Sequence, residues 1–289
     1  MKYLINAFYL IAGLMVFTSC EKVISLDLPE GNQLIYADAW ISDSVGVHTI
    51  RLLESVNYQS QSQPKPIEDA VVRVTDLTLG TTYNFNYANG SYLFDAGAGK
   101  SIGFIGHRYR LEINYAGEQF VAEDLLPRKI TIDSLTLEFK EGNGDYEKEG
   151  YYAEFHARDL PGAVDYYWIR TYRNGSLNTY LNDMLSIDAS FYPEVSDGFP
   201  FIPPFREGIT SGEKPYQKGD EVKVIVRSVS SNSYVFVEQM LKQITNGGLF
   251  SEVLQNIPSN ISNTNSTSKK KIYGWFGTVS ETSASLLVP

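Results

Sequence analysis

Short segments rich in β-branched and aromatic residues recur along this chain, and they constrain its fold more than any other feature. Seven of these segments lie within about ninety residues, at 34–41, 47–56, 70–76, 81–87, 91–95, 109–115 and 119–123. Apolar and polar residues alternate within several of them, so we expect each strand to have one buried and one exposed face. Seven short strands separated by turn residues are typical of a β-sandwich.

The second half of the chain continues the β pattern with one interruption. Further strands are predicted at 130–140, 151–157, 166–172, 221–228, 272–279 and 285–288. Apolar residues between Val237 and Ile244 instead follow helical spacing, which predicts one amphipathic helix near residues 231–246. Pro127 separates the two halves of the pattern.

These patterns predict an all-β (mainly β) protein with two β-sandwich domains. The first domain, residues 34–126, is expected to be immunoglobulin-like or carboxypeptidase-regulatory-like. The second domain, residues 127–289, is expected to be fibronectin-like, with the amphipathic helix inserted between its strands. The aromatic content of 13%, with 20 Tyr and 15 Phe, agrees with packed sheet faces.

The first twenty residues have the form of an export signal. Lys2 is the only charged residue before the cysteine, and residues 7–17 form an apolar run that is too short to span a bilayer as a helix. The residues that end at Cys20 resemble the lipobox of bacterial lipoproteins. We predict a signal peptide at 1–19, a covalent lipid such as palmitate on Cys20, and a tether at 20–33. An ordinary secretory signal with a coincidental cysteine is the alternative.

Charge and cysteine content argue against several classes of protein. The chain has 24 Lys and Arg against 34 Asp and Glu, a formal net charge of −10. This sign does not suit binding to a phosphate backbone, so we expect no nucleic-acid partner. The chain contains 1 Cys, so it cannot form an intramolecular disulfide or a zinc site built from cysteines.

Five short segments follow the lipobox in a recognisable order. They are Glu-Lys-Val-Ile-Ser-Leu-Asp-Leu-Pro at 21–29, Tyr-Ala-Asp-Ala-Trp-Ile-Ser-Asp at 36–43, Ile-Asp-Ser-Leu at 132–135, Asn-Ile at 260–261 and Gly-Trp-Phe-Gly at 274–277. Their order and spacing resemble domain of unknown function 4249, a family of Bacteroidota lipoproteins. The resemblance implies an outer-membrane lipoprotein, often encoded beside a TonB-dependent transporter, and it brings no catalytic residues.

No group of residues in the sequence indicates an enzyme. His48, His107 and His156 lie far apart and lack the spacing of a helical zinc site, so we expect structural roles for all three. Carboxylates are abundant, but a catalytic pair is identified by its separation in space. We therefore predict a non-catalytic protein without a cofactor other than the lipid on Cys20.

Two further features are candidates for modification or metal binding. Asp145 and Glu147 place carboxylates at alternate positions of a Gly-rich loop, which makes them a candidate calcium site. The loop lacks the spacing of an EF-hand, and a solvated acidic loop is the simpler interpretation, so we predict no metal. Ser44 and Ser134 lie in Asp-Ser-Val and Asp-Ser-Leu, which resemble the O-glycosylation sequence of exported Bacteroidota proteins.

A segment rich in aromatic residues and prolines, 191–206, is the most suggestive candidate for partner binding. Prolines cannot take part in a central sheet ladder, so the rings of this segment either fold onto the core or face a partner. Interfaces favour rigid aromatic residues together with Arg. The predicted partner contacts are Tyr192, Phe199, Phe201, Phe205 and Arg206.

We expect this protein to act through binding. The first interpretation is an accessory subunit of a TonB-dependent transport complex in the outer membrane, which captures a ligand or docks on the barrel. The alternative is a stand-alone surface lipoprotein that binds glycans or peptides. That function needs exposed Trp residues, whereas Trp40, Trp168 and Trp275 all lie inside predicted strands and are expected to be core residues. A hydrolase is the least favoured interpretation. The sequence is compatible with a location on either the periplasmic or the surface-exposed face of the outer membrane.

Overall fold

The structure is a computed structural model, and it describes residues 34–56, 62–144, 147–193, 196–246 and 257–289. Its strands are β1 (Ile35–Ser42), β2 (Val47–Glu54), β3 (Lys65–Pro66), β4 (Val71–Asp76), β5 (Thr81–Ala88), β6 (Ser91–Asp95), β7 (Arg108–Tyr115), β8 (Glu118–Leu125), β9 (Ile132–Lys140), β10 (Gly150–Ala157), β11 (Tyr166–Arg173), β12 (Ser176–Leu177), β13 (Met184–Ile187), β14 (Glu221–Val229), β15 (Ser262–Asn263) and β16 (Ile272–Leu287). Its α-helices are α1 (Pro203–Arg206) and α2 (Ser231–Ile244), and a 3₁₀-helix, Glu207–Ile209, follows α1.

The chain is mainly β, as the sequence pattern predicted. Most strands run in one hydrogen-bonded series, β12-β11-β14-β16-β1-β2-β6-β5-β4-β7-β8-β15, with β13 beside β11 and β3 beside β2. Strands β9 and β10 form a separate two-stranded sheet. Among the described residues, no helix is long and apolar enough to cross a membrane.

The described residues form two large hydrophobic cores. The first core contains buried residues from Ala37 to Leu126 together with Ile261, Ile272 and Phe276, and the second contains buried residues from Ile130 to Val288. Residues near the end of the chain thus contribute to the first core, on the other side of the boundary that the sequence places at 126/127. Residues 33–289 belong to one compact unit. Whether the two halves are independent domains stays a prediction.

The last strand joins the two halves. From Ile272 to Val279, β16 runs parallel to β1, and from Val279 to Leu287 it runs antiparallel to β14. The two separate strands predicted here are therefore one strand. Residues 280–284, which are mostly polar, separate the two predicted strands in the sequence, but each of them is paired with β14, as in Ser280 with Ser228. Ser and Thr are tolerated in strands when the neighbouring backbone supplies the ladder bonds.

Helix α2 covers a third, aromatic cluster near the place where the two halves meet. Trp168 and Trp275 are buried, and Trp40 packs against the same cluster with its ring centre 5.5 Å from that of Trp168. Phe236 of α2 stacks on Trp275 at 4.7 Å. The expectation that the Trp residues are core residues is therefore met, and these rings do not form an exposed platform.

Candidate binding surface

The aromatic segment follows β13 and ends in α1, and part of it is exposed. Tyr192 is 68% exposed, Phe199 is 56% exposed and Phe191 is 54% exposed. A surface position for Tyr192 and Phe199 agrees with the sequence-based prediction. Phe191 was not among the predicted contacts, although its position next to Tyr192 and Pro193 is a signal that could have found it. The three exposed rings are called the aromatic rim below.

Phe201 and Phe205 require a correction, because both belong to the second core. They are 1% and 2% exposed. The backbone N–H of Phe201 donates to the carbonyl of Ala157, which brings its ring within 5.5 Å of Phe155. Phe205 lies in α1 and is covered from outside by Phe191 at 4.6 Å between ring centres. We therefore remove Phe201 and Phe205 from the candidate contacts.

Arg206 is half-buried and already has a partner. Its guanidinium lies 3.0 Å from the carboxylate of Glu154 on β10. Its Nε is buried and has no hydrogen-bond partner among the described residues. The ion pair holds the Arg206 side chain in one geometry. Arg206 therefore forms one fixed side of the cavity described next.

A cavity of about 390 Å³ opens beside the aromatic rim. It is lined mostly by apolar groups, among them Phe199, Pro200, Ile202 and Pro203, together with Arg206. Pockets of this kind accept an apolar side chain when a few polar groups fix its orientation. The aromatic rim and this cavity together form the candidate binding surface.

The base of the aromatic segment is held by a buried carboxylate. Asp159 is 1% exposed, and it accepts hydrogen bonds from the Tyr167 hydroxyl at 2.5 Å and from the Gly198 backbone N–H at 2.8 Å. Burial raises the pKa of Asp159. The residue before Phe199 is therefore fixed to the second core. No sequence signal points to this role, because Asp159 is followed by Leu-Pro-Gly and resembles an ordinary turn residue.

Further buried polar contacts tie the same segment to the junction of the two cores. Arg128 donates through Nε to both carboxylate oxygens of Asp165, at 2.9 and 2.8 Å, and this hydrogen bonding raises the pKa of Arg128. The Asp165 backbone N–H donates to Asp188 at 2.7 Å. Burial raises the pKa of Asp188. These contacts fix the loop before β11 and the start of the aromatic segment.

The candidate metal and modification residues are placed separately. Glu147 accepts a hydrogen bond from Asn143 at 3.0 Å and lies 3.6 Å from Lys140, while Asp145 lies outside the described residues. In the part of the chain that the structure describes, no group of three or more His, Cys, Asp or Glu could hold a metal ion. Ser44 is exposed and donates to Glu281 at 2.7 Å, and Ser134 is exposed on β9. Cys20, the signal peptide and the tether lie outside the described residues.

The three histidines contact different partners. His48 is buried, and burial lowers its pKa. His107 lies 2.7 Å from the carboxylate of Asp76, and His156 lies 3.1 Å from the hydroxyl of Thr136. The contacts of His107 and His156 agree with the structural roles expected from the sequence, whereas the buried Nε2 of His48 has no hydrogen-bond partner among the described residues.

The loop between β6 and β7 contains a motif that resembles a catalytic signature. Residues 99–103 read Gly-Lys-Ser-Ile-Gly, which has the form of the Gly-x-Ser-x-Gly nucleophile motif. That motif acts at a turn between a strand and a helix. Here the segment leads from β6 to β7, and the Ser101 hydroxyl donates to the carbonyl of Ser42 and accepts from the Gly103 N–H. Gly103 also lies so close to the Ser42 backbone that a Cβ would clash. We assign the motif to packing.

Comparisons with known proteins identify the family. No curated protein was found to match the chain. The sequence profile of one family, described as "Domain of unknown function (DUF4249)", matches residues 21–285. This range includes β1 to β15, both helices, the aromatic rim and all but the last residues of β16. The chain therefore belongs to the family with domain of unknown function 4249.

Proposed function

We propose that this protein is a non-catalytic lipoprotein of the outer membrane that serves as an accessory subunit of a TonB-dependent transport complex. In this proposal, a lipid on Cys20 anchors the chain, and the aromatic rim docks on the barrel protein. The observation that carries the proposal is the exposure of Phe191, Tyr192 and Phe199 on a segment whose base is fixed by buried Asp159.

Fixed aromatic rings are suited to binding because they lose little conformational entropy when a partner covers them. Aromatic residues and Arg dominate the binding energy of many interfaces. The cavity beside Phe199 offers a place for an apolar side chain of the partner. Membership of the family agrees with this proposal but does not assign a partner.

Affinity purification tests the proposed partner. The tagged full-length protein is purified from gently solubilised outer membranes, and the recovered proteins are identified by mass spectrometry. We expect stoichiometric recovery of a TonB-dependent barrel. The double variant Tyr192→Ala/Phe199→Ala is expected to lower this recovery on the order of ten-fold, because two exposed anchor rings are lost.

A matched control removes exposed rings elsewhere. Tyr36 and Tyr180 are 42% and 57% exposed and lie outside the aromatic rim. The variant Tyr36→Ala/Tyr180→Ala is expected to recover the barrel as the wild type does. Equal losses in both double variants would remove the aromatic rim from the proposal. Absence of any barrel, under conditions in which other outer-membrane complexes survive, would contradict the accessory role.

The lipid anchor is tested separately. Replacing Cys20 with Ser removes the thiol that would carry the lipid, and with it the hydrophobic anchoring of about 0.8 kcal/mol per buried methylene group. We expect Cys20→Ser to move the protein from the membrane fraction to the soluble fraction on immunoblots. Ser44→Ala should stay with the membranes. Continued membrane retention of Cys20→Ser would refute the anchor.

A stand-alone surface protein that binds peptides is the second candidate. It is favoured by a groove of about 520 Å³ near the apolar cavity, because a groove and a cavity together suit an extended chain. Purification of the tagged protein without a barrel partner, in detergent that preserves other complexes, would support this second candidate over the first.

A further inference from the structure

The groove of about 520 Å³ lies on the outer face of the two-stranded sheet. Strands β9 and β10 form its floor, and residues 207–212 run beside β10 as its wall. The wall is fixed to β10, because the Ala153 N–H donates to the Thr210 hydroxyl at 2.8 Å and the Lys148 N–H donates to the Gly212 carbonyl at 3.0 Å. The groove is therefore a permanent feature of the second half.

The groove carries more negative than positive charge. Four glutamates line it: Glu138, Glu147, Glu154 and Glu207. Glu147 is near Lys140, and Glu154 is paired with Arg206. Glu138 and Glu207 are exposed and have no cationic partner among the described residues. Two unbalanced carboxylates in a concave surface attract cationic side chains.

The outer edge of β9 has no hydrogen-bonded strand among the described residues, although β9 also lies close to β16. This nine-residue strand pairs with β10 on one edge, and no described residue pairs with the other. The N–H and C=O groups on such an edge can pair with an added strand of another chain. On the groove face of β9, Ser134, Thr136, Glu138 and Lys140 alternate with Leu135 and Leu137, which pack against the second core. An added strand would therefore place every second side chain over the groove.

We infer that the free edge of β9 and the acidic groove form a docking site for an extended, basic segment of a partner protein. The segment adds as a strand beside β9, and its Lys or Arg side chains lie over Glu138. Glu207 on the far wall contributes a weaker, longer-range attraction. The inference rests on the proposed function in one respect, namely that the protein acts by binding a protein partner.

Labelled model peptides test this docking site. The probes are a fluorescent nonapeptide of alternating Lys and Val, the same peptide with Glu in place of Lys, and the Lys peptide with alternate backbone nitrogens methylated. Binding to the full-length protein in non-ionic detergent is measured by fluorescence anisotropy. We expect the Lys peptide to bind, the Glu peptide not to bind, and methylation to abolish binding because the ladder bonds are lost.

Variants of the groove locate the site. Glu138→Gln is expected to weaken binding of the Lys peptide on the order of ten-fold, and Glu207→Gln two- to three-fold. Glu221→Gln, an exposed control at the start of β14, is expected to leave affinity unchanged. Circular dichroism checks that all three variants are folded. Equal losses in all three variants would show non-specific attraction and overturn the site.

The outcomes separate this inference from the proposed function. Failure of the Lys peptide to bind at millimolar concentration, or equal binding of the methylated peptide, overturns the added strand. Such a result would not contradict the proposed function, which is tested by recovery of the barrel with the wild type and by lower recovery with Tyr192→Ala/Phe199→Ala. Conversely, loss of the barrel partner in the purification would refute the accessory role but leave a measured preference for the Lys peptide intact.

Discussion

Asp159 is a buried carboxylate that accepts hydrogen bonds from neutral donors, and it forms no ion pair among the described residues. Its partners are a hydroxyl on β11 and the backbone N–H of Gly198. Such a group is costly to bury, and burial accordingly raises its pKa. The arrangement is retained in the structure because it fixes the position of Gly198, and with it the exposed ring of Phe199.

Removing this carboxylate should destabilise the protein more than removing an exposed one. Asp159→Ala leaves the Tyr167 hydroxyl and the Gly198 N–H unpaired, and we expect it to lower the free energy of unfolding by about 2–4 kcal/mol. Asp197 holds the same segment by accepting from the Gly162 N–H at 2.9 Å, but it is exposed. Asp197→Ala is therefore expected to cost less than about 1 kcal/mol. Urea denaturation measures both, and equal costs would contradict the role of Asp159.

The raised pKa of Asp159 predicts a pH dependence. A folded-state pKa above the unfolded value, which is about 4, means that protonation favours the folded state. The contribution of Asp159 to stability is therefore full below about pH 4 and is lost as the pH rises through the folded-state pKa. Asp159→Asn does not titrate. We expect the unfolding free energy of the wild type, relative to this variant, to fall as the pH rises above about 4.

Comparing wild type and variant at each pH isolates this residue. His48, whose pKa is lowered by burial, titrates in both proteins and has the opposite effect on stability. Its contribution cancels in the difference. Urea denaturation at several pH values provides the measurement, and a difference that stays constant across them would refute the prediction.

Besides its apolar contacts, helix α2 is joined to the sheets by hydrogen bonds of a buried serine. Ser233 accepts a hydrogen bond from the Trp275 indole at 2.8 Å and donates to Asp124 at 3.2 Å. Asp124 also accepts from the backbone N–H of Thr278 on β16, at 2.8 Å. Ser230 caps the helix by accepting from the Ser233 N–H. The first turn of α2 is thus joined to β8 and β16 through side chains at its buried face.

We expect loss of the Ser233 hydroxyl to destabilise the protein, and loss of the nearby Ser231 hydroxyl to have little effect on stability. Ser233→Ala leaves the Trp275 N–H unpaired in a buried site, and we expect it to lower the unfolding free energy by about 1–3 kcal/mol. Ser231 is exposed and lies in the same turn. Ser231→Ala is expected to change stability by less than about 0.5 kcal/mol. Thermal denaturation followed by circular dichroism checks the pair, and similar midpoints would contradict the attachment.

The positions of helices and strands could be predicted from the sequence wherever apolar residues recur with a clear helical or strand period. Alternation predicted β7 and β4, and helical spacing predicted α2 within a few residues of its observed ends. The continuous β16 was missed, because its polar middle is held by pairing with β14, which local composition does not reveal. The short strands β12, β13 and β15 were missed for the same reason.

The candidate surface was only partly predictable. Tyr192 and Phe199 were found because aromatic residues next to prolines are conspicuous in a sequence. The burial of Phe201 and Phe205 depends on their contacts with β10 and the second core, so composition could not separate them from the exposed rings. The acidic groove combines Glu138 of β9 with Glu207 of the 3₁₀-helix, and only the tertiary fold brings these residues together.

The two cores share β16, so the halves of the molecule should unfold together. Phe276 belongs to the first core, and Ala284 packs against the second on the same strand. We expect calorimetry of the full-length protein to show one transition in which the van't Hoff and calorimetric enthalpies agree. A fragment that ends at residue 126 should not unfold cooperatively, because β1 loses its parallel partner. Two separate transitions would instead support two independent domains.

Because β1 pairs with β16, this part of the sheet can be completed only after the last strand has been synthesised. A ribosome delivers β1 first and β16 last, so the parallel edge of β1 has no partner until nearly the whole chain has been made. The first core likewise lacks Ile272 and Phe276 until then. Contacts between such distant parts of a chain form slowly and expose apolar strands to aggregation. Production of the native protein therefore depends on keeping a long, incomplete sheet from associating with other chains until its final strand arrives.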